Sequence, residues 1–67
     1  MRTVDELLKS FVLYMEQEEE SYLYLEIRYK NGKFVLHVNK PLVIECKDGL
    51  GNTFHKALSN LCNNYGI

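Results

Sequence analysis

The chain has 67 residues, 46% of them hydrophobic and 25% charged, with a formal net charge of −1, one proline and four glycines. That is the balance of one small folded domain and excludes a disordered tail. No apolar run approaches the roughly 18 residues of a membrane span, and Asp5 and Glu6 interrupt the stretch a signal peptide needs, so a cytoplasmic location without membrane partners is expected.

Residues 3–19 carry a helical pattern. Val4, Leu7, Leu8, Phe11, Tyr14 and Met15 recur at the spacing of one helix face. Thr3 followed by Glu6 fits a capping box, in which each side chain satisfies a free backbone N–H. Leu13 points almost opposite to the apolar stripe. The helix runs into Glu16-Gln17-Glu18-Glu19-Glu20, and carboxylates at that end oppose the helix dipole, so part of the run should leave the helix.

Residues 21–30 and 33–39 alternate with period two around Asn31-Gly32. A two-residue type I′ turn needs positive φ at both central positions, and Asn-Gly supplies it. The turn pairs Tyr29 with Phe34, Ile27 with Leu36 and Leu25 with Val38. All three pairs are apolar and are expected to face the helices. Lys40-Pro41 interrupts the ladder, because proline has no N–H to give. A third strand is expected over Leu42–Lys47, with Asp48-Gly49-Leu50-Gly51 as a turn.

Asn52 or Thr53 then caps a second helix with Phe54, Ala57, Leu58, Leu61, Cys62 and Tyr65 on one face and Gly66 at its C-cap. The fold class is therefore α+β, in the order αβββα. A three-stranded antiparallel meander carries both helices on one face and leaves the other open.

Chemistry-bearing residues are few. Cys46 and Cys62 lie on apolar stripes and read as buried free thiols, with a disulfide between them as the alternative. Their spacing with His37 and His55 fits no zinc pattern, so neither metal nor cofactor is expected. His37 should face Glu26 across the hairpin, which leaves open a small hydrolase or nuclease using that pair. His55 lies in the first turn of the second helix, where a solvated position is expected. Asp48 to Thr53 lacks the spacing and the lysine of a phosphate loop.

Binding surfaces carry more signal. Residues 1–26 hold seven acidic against two basic side chains, a net −5, and residues 27–67 six basic against two acidic, a net +4. Leu13 beside Glu16, Glu18, Glu19 and Glu20 would suit a basic protein surface, such as one in a nucleic-acid-handling complex, with Tyr22 and Tyr24 of the open sheet face as further contacts. A second copy could also join through that open face. The alternative is nucleic acid on the same face, with Tyr22 and Tyr24 stacking and Arg28, Lys30, Lys33 and Lys47 on phosphates.

Three resemblances follow from these residues. The αβββα order resembles the double-stranded-RNA-binding domains, whose second helix begins with a lysine cluster. The matching segment here, Asn52-Thr53-Phe54-His55-Lys56, has one lysine. Residues 22–65 resemble the hairpin–strand–helix unit of HicB-type antitoxins through Gly51-Asn52-Thr53-Phe54-His55-Lys56-Ala57-Leu58. The size and acidic first helix are similar to phage and mobile-element accessory proteins, anti-CRISPR inhibitors among them. That last resemblance implies a small non-catalytic inhibitor or adaptor that occupies a basic surface of a host complex.

Overall fold

The structure, a computed structural model, describes residues 1–16, 24–39 and 47–67, with the side chains of Tyr24 and Asn39 left undescribed. Its elements are α1 (Val4–Glu16), β1 (Tyr24–Lys30), β2 (Lys33–Asn39), β3 (Asp48–Gly51) and α2 (Phe54–Asn64). The strands form one antiparallel sheet in the order β1-β2-β3, so the fold is α+β with αβββα connectivity. Among the described residues no helix is long and apolar enough to cross a membrane.

Helix α1 starts at the expected capping box. The Thr3 N–H donates to Glu6 Oε1 at 3.1 Å, and the Glu6 N–H donates to Thr3 Oγ1 at 3.2 Å. The Thr3 backbone N–H first, and the Thr3 side chain second, hold the Glu6 carboxyl below its ordinary value of 4.5. Leu7, Phe11 and Met15 are buried at the centre of the stripe, while Val4, Leu8 and Tyr14 pack at its margin.

The hairpin has the expected register. Asn31 and Gly32 take φ of 53° and 76°, as a type I′ turn demands. Leu25 faces Val38, Ile27 faces Leu36 and Tyr29 faces Phe34. Leu36 and Val38 enter the core with Leu7, Phe11, Met15, Ala57, Leu58, Leu61 and Cys62. Each such leucine or phenylalanine contributes about 1.5–3 kcal/mol by leaving water.

The segment that the sequence pattern read as a turn is a strand. Asp48–Gly51, expected to be a turn, is β3 and pairs with β2. Lys47, the expected end of that strand, precedes β3 and belongs to no strand, and Leu42 to Cys46 lie outside the described residues.

The glycines explain the strand. Gly49 and Gly51 face Leu36 and Phe34 on the inner side of the sheet, directly beneath α2. A Cβ on Gly49 would collide with the Ala57 carbonyl oxygen and lie 2.5 Å from Leu61 Cβ. One on Gly51 would lie 2.5 Å from the Ala57 nitrogen. Extended glycines at alternate positions thus make a flat track on which a helix backbone can rest.

Helix α2 is set on that track by its ends. Thr53 Oγ1 accepts from the Lys56 N–H at 3.1 Å. At the other end the Ile67 N–H reaches Cys62 O at 2.9 Å and the Gly66 N–H reaches Asn63 O at 3.0 Å, with Gly66 at φ 73°. This is a Schellman ending, and Ile67 packs back on the core.

Two side chains fasten the chain ends. Arg2 donates to the Ile67 carbonyl at 3.0 Å and to Ser10 Oγ at 3.3 Å. His55, expected to be solvated, is half-buried, with Nε2 2.7 Å from the Arg2 carbonyl oxygen.

Seating α2 on β3 leaves β1 short of cover. A helix about 10 Å across spans roughly two strands spaced 4.8 Å apart. Helix α2 lies over β3 and β2, and α1 lies against α2. Ile27 and Tyr29, expected to be covered by the helices, are therefore 54% and 65% exposed. Leu25 is half-buried, and Tyr29 leans edge-on against Phe34, which meets Phe54 of α2.

Candidate functional site

On the outer sheet face the register lines up side chains in rows across the three strands. Glu26, His37 and Asp48 form one row, and Arg28, Val35 and Leu50 the next. His37 Nδ1 lies 2.5 Å from Asp48 Oδ1, and Arg28 reaches Glu26 at 2.9 Å. Glu26, Arg28, Val35, His37 and Asp48 together line a shallow depression of about 300 Å³.

The imidazole expected to work with Glu26 is thus held by Asp48, and Glu26 is matched by Arg28. Both acids therefore face a basic group, and among the described residues no hydroxyl or thiol lines the depression. The His37–Asp48 contact ties β2 to β3, while the Arg28–Glu26 pair lies within β1. It was partly hidden in the sequence because Asp48 read as a turn residue.

The basic residues proposed for phosphate binding are divided between two places. Arg28 is paired with Glu26, while Lys30 and Lys33 face one another beside the turn, both exposed. Lys47 stands away from them. Its ammonium donates to the Asn64 carbonyl at 2.9 Å and lies 5.7 Å from the Tyr65 ring centre, and its N–H donates to Tyr65 Oη at 3.0 Å. Tyr22 lies outside the described residues, as do Glu18, Glu19 and Glu20.

The described part of the acidic candidate is on α1. Leu13, on the side away from Leu7, Phe11 and Met15, is 59% exposed, and Val12, at the flank of that stripe, is 44% exposed. With Leu8 and Lys9 they line an open hollow of about 370 Å³. Glu16 is exposed one turn beyond Leu13. Val12 was missed by sequence reading, although its place one turn beyond Leu8, at the flank of the apolar stripe, could have signalled it.

Cys62 offers no chemistry to the surface. It is free and fully buried, with Sγ 3.7 Å from the Leu7 carbonyl, and burial raises its thiol pKa. Cys46 lies outside the described residues. Among the described residues no three of His, Cys, Asp and Glu are grouped as metal ligands.

Among the described residues the two borders of the sheet are built differently. In a two-residue hairpin Lys30 and Lys33 exchange both backbone hydrogen bonds, so polar groups on each strand alternate toward and away from the neighbour. By that alternation the carbonyls of Asp48 and Leu50 point away from β2. Asn64 Nδ2 donates to the first at 2.7 Å and Asn60 Nδ2 to the second at 2.5 Å. The same alternation turns the N–H and C=O of Leu25, Ile27 and Tyr29 away from β2. No side chain among the described residues donates to those carbonyls.

Comparison with protein-family models, with curated protein sequences and with solved structures gave no match in any of the three.

Proposed function

We propose that this chain is a non-catalytic protein-binding module that engages its partner through the outer face of α1. The supporting observation is the exposure of Val12 and Leu13 together on a helix whose opposite face is already satisfied by the core. An exposed leucine by itself is ordinary, but two adjacent β- and γ-branched side chains flanking an apolar hollow are contact surface. Glu16 borders that surface and Glu18, Glu19 and Glu20 follow in sequence. The partner is therefore a protein with an apolar groove rimmed by lysine or arginine. An inhibitor or adaptor that occupies a basic, nucleic-acid-handling surface of a larger complex meets that description.

A photo-crosslinking residue at position 9, beside the hollow, tests this in lysate of the native host. The intact chain should cross-link a discrete protein, whereas Leu13→Asp should lose it while keeping the same circular dichroism. Glu16→Lys should weaken capture several-fold at low salt and much less at high salt. Equal capture by the intact chain and Leu13→Asp would overturn the reading.

A further inference from the structure

The outer edge of β1 points to a second copy of this chain as its occupant. We propose that two chains join antiparallel along β1, about a two-fold axis through Ile27, into one continuous sheet. This contact uses an element other than α1 and goes beyond the partner binding proposed above.

Backbone geometry supplies the first argument. Leu25, Ile27 and Tyr29 turn their N–H and C=O groups outward from the sheet, and the same residues carry the apolar side chains of β1. Centring the pair on Ile27 sets Leu25 opposite Tyr29 of the second copy and Ile27 opposite Ile27. Three facing pairs make about six backbone hydrogen bonds. The half-exposed Ile27 and Tyr29 of both copies then adjoin on one side of the joined sheet and cover one another.

Charge selects the register. On the outer face, the axis at Ile27 puts Glu26 of each copy opposite Arg28 of the other. Moving the axis to residue 26 faces Glu26 with Glu26, and moving it to residue 28 faces Arg28 with Arg28. Moving it to residue 29 sets Arg28 against Lys30. An axis displaced by half a residue brings inward-turned backbone groups to the edge and loses the ladder. The sequence Glu26-Ile27-Arg28 is thus self-complementary when reversed, which no unrelated strand need be. At β3, by contrast, Asn60 and Asn64 already occupy the outward carbonyls.

The test uses the full chain in analytical ultracentrifugation over a concentration series from micromolar to millimolar. The intact chain should pass from the 7.9 kDa monomer to twice that mass. Glu26→Arg and Arg28→Glu each place like charges opposite one another at two points, and each should weaken association about tenfold or more. Both side chains are well exposed, at 46% and 69%, so either variant should remain folded by circular dichroism.

Mixing the two single variants restores opposite charge at both points, so a heterodimer should form where neither variant associates alone. The double swap Glu26→Arg with Arg28→Glu should return to within a few-fold of the intact chain. A chain that stays at monomer mass up to millimolar overturns the proposal. So does a dimer indifferent to both single changes, which would place the contact elsewhere, or a mixture that behaves as its separate parts.

Discussion

The two borders of this sheet are made from the same backbone and meet solvent in opposite ways. At β3, side chains reach over from α2: Asn60 and Asn64 sit one helical turn apart and take successive outward carbonyls of the strand. At β1 no side chain among the described residues takes the outward carbonyls, and the adjoining Ile27 and Tyr29 are half in water. The cause of both is a pair of missing side chains. Glycine at 49 and 51 draws α2 onto β3, which brings its asparagines to one border and withdraws its bulk from the other. An edge strand with exposed apolar residues is an invitation to pairing, and proteins usually blunt it. Here one border is blunted and the other carries complementary charges.

The sharpest way to break that contrast is to fill the glycine track. Gly49→Ala puts a methyl group against the Ala57 carbonyl and within 2.5 Å of Leu61 Cβ, both parts of a helix that must move as a body. A loss of about 3 kcal/mol or more in urea denaturation is expected, with Gly49→Val unfolding the chain outright. Surviving molecules should also expose both borders, since the asparagines retreat with α2.

A gentler change makes β3 resemble β1. Asn60→Ala or Asn64→Ala leaves an outward carbonyl to water and should cost about 1 kcal/mol each in the same assay. The double variant has two open borders, so light scattering should report open-ended assembly where the intact chain stops at pairs. Unchanged scattering would mean that the asparagines do not guard the edge.

The helix starts offer a finer test. Both are capped by threonine, but only Thr3 has a carboxylate partner, at Glu6; Thr53 is followed by Lys56 at the matching place. Glu6 titrates below its ordinary 4.5, so its contribution is present above that value and disappears as pH falls through it toward the lowered pKa. Helicity measured by circular dichroism should drop over that acid range through α1 first. Glu6→Gln should remove the step while leaving α2 on β3 untouched. Smallest of all is Ile27→Lys, which guards the open border with a charge. At a half-exposed site it should change stability by under about 0.5 kcal/mol and still abolish association.

Much of the architecture was legible because local rules and tertiary packing agree. Asn31-Gly32 with alternating flanks fixes the hairpin and its register, and Thr3 with Glu6 fixes where α1 begins. β3 was illegible because glycine has two uses. In Asp48-Gly49-Leu50-Gly51 it serves close approach of a helix, whereas a single sequence reads it as permission to turn. The spacing of two glycines by two, just before a helix with Ala57 facing them, was the available signal.

That one misreading carries the other errors. Missing β3 hides the His37–Asp48 contact and suggests a sheet fully covered by helices, so Ile27 and Tyr29 read as core. Asn60 and Asn64 look like solvated helix residues until the strand beside them is known. Leu13 was legible because an apolar residue opposite a complete stripe has nowhere inside to go.

The clasp between Arg2 and Ile67 has a further consequence. The Arg2 backbone is held by His55 at the start of α2, while its guanidinium reaches the Ile67 carbonyl past the other end of that helix. One side chain thus ties the residue ahead of α1 to the residue that closes α2, so Arg2→Ala should loosen both helices at once and lower the melting temperature of a domain this small.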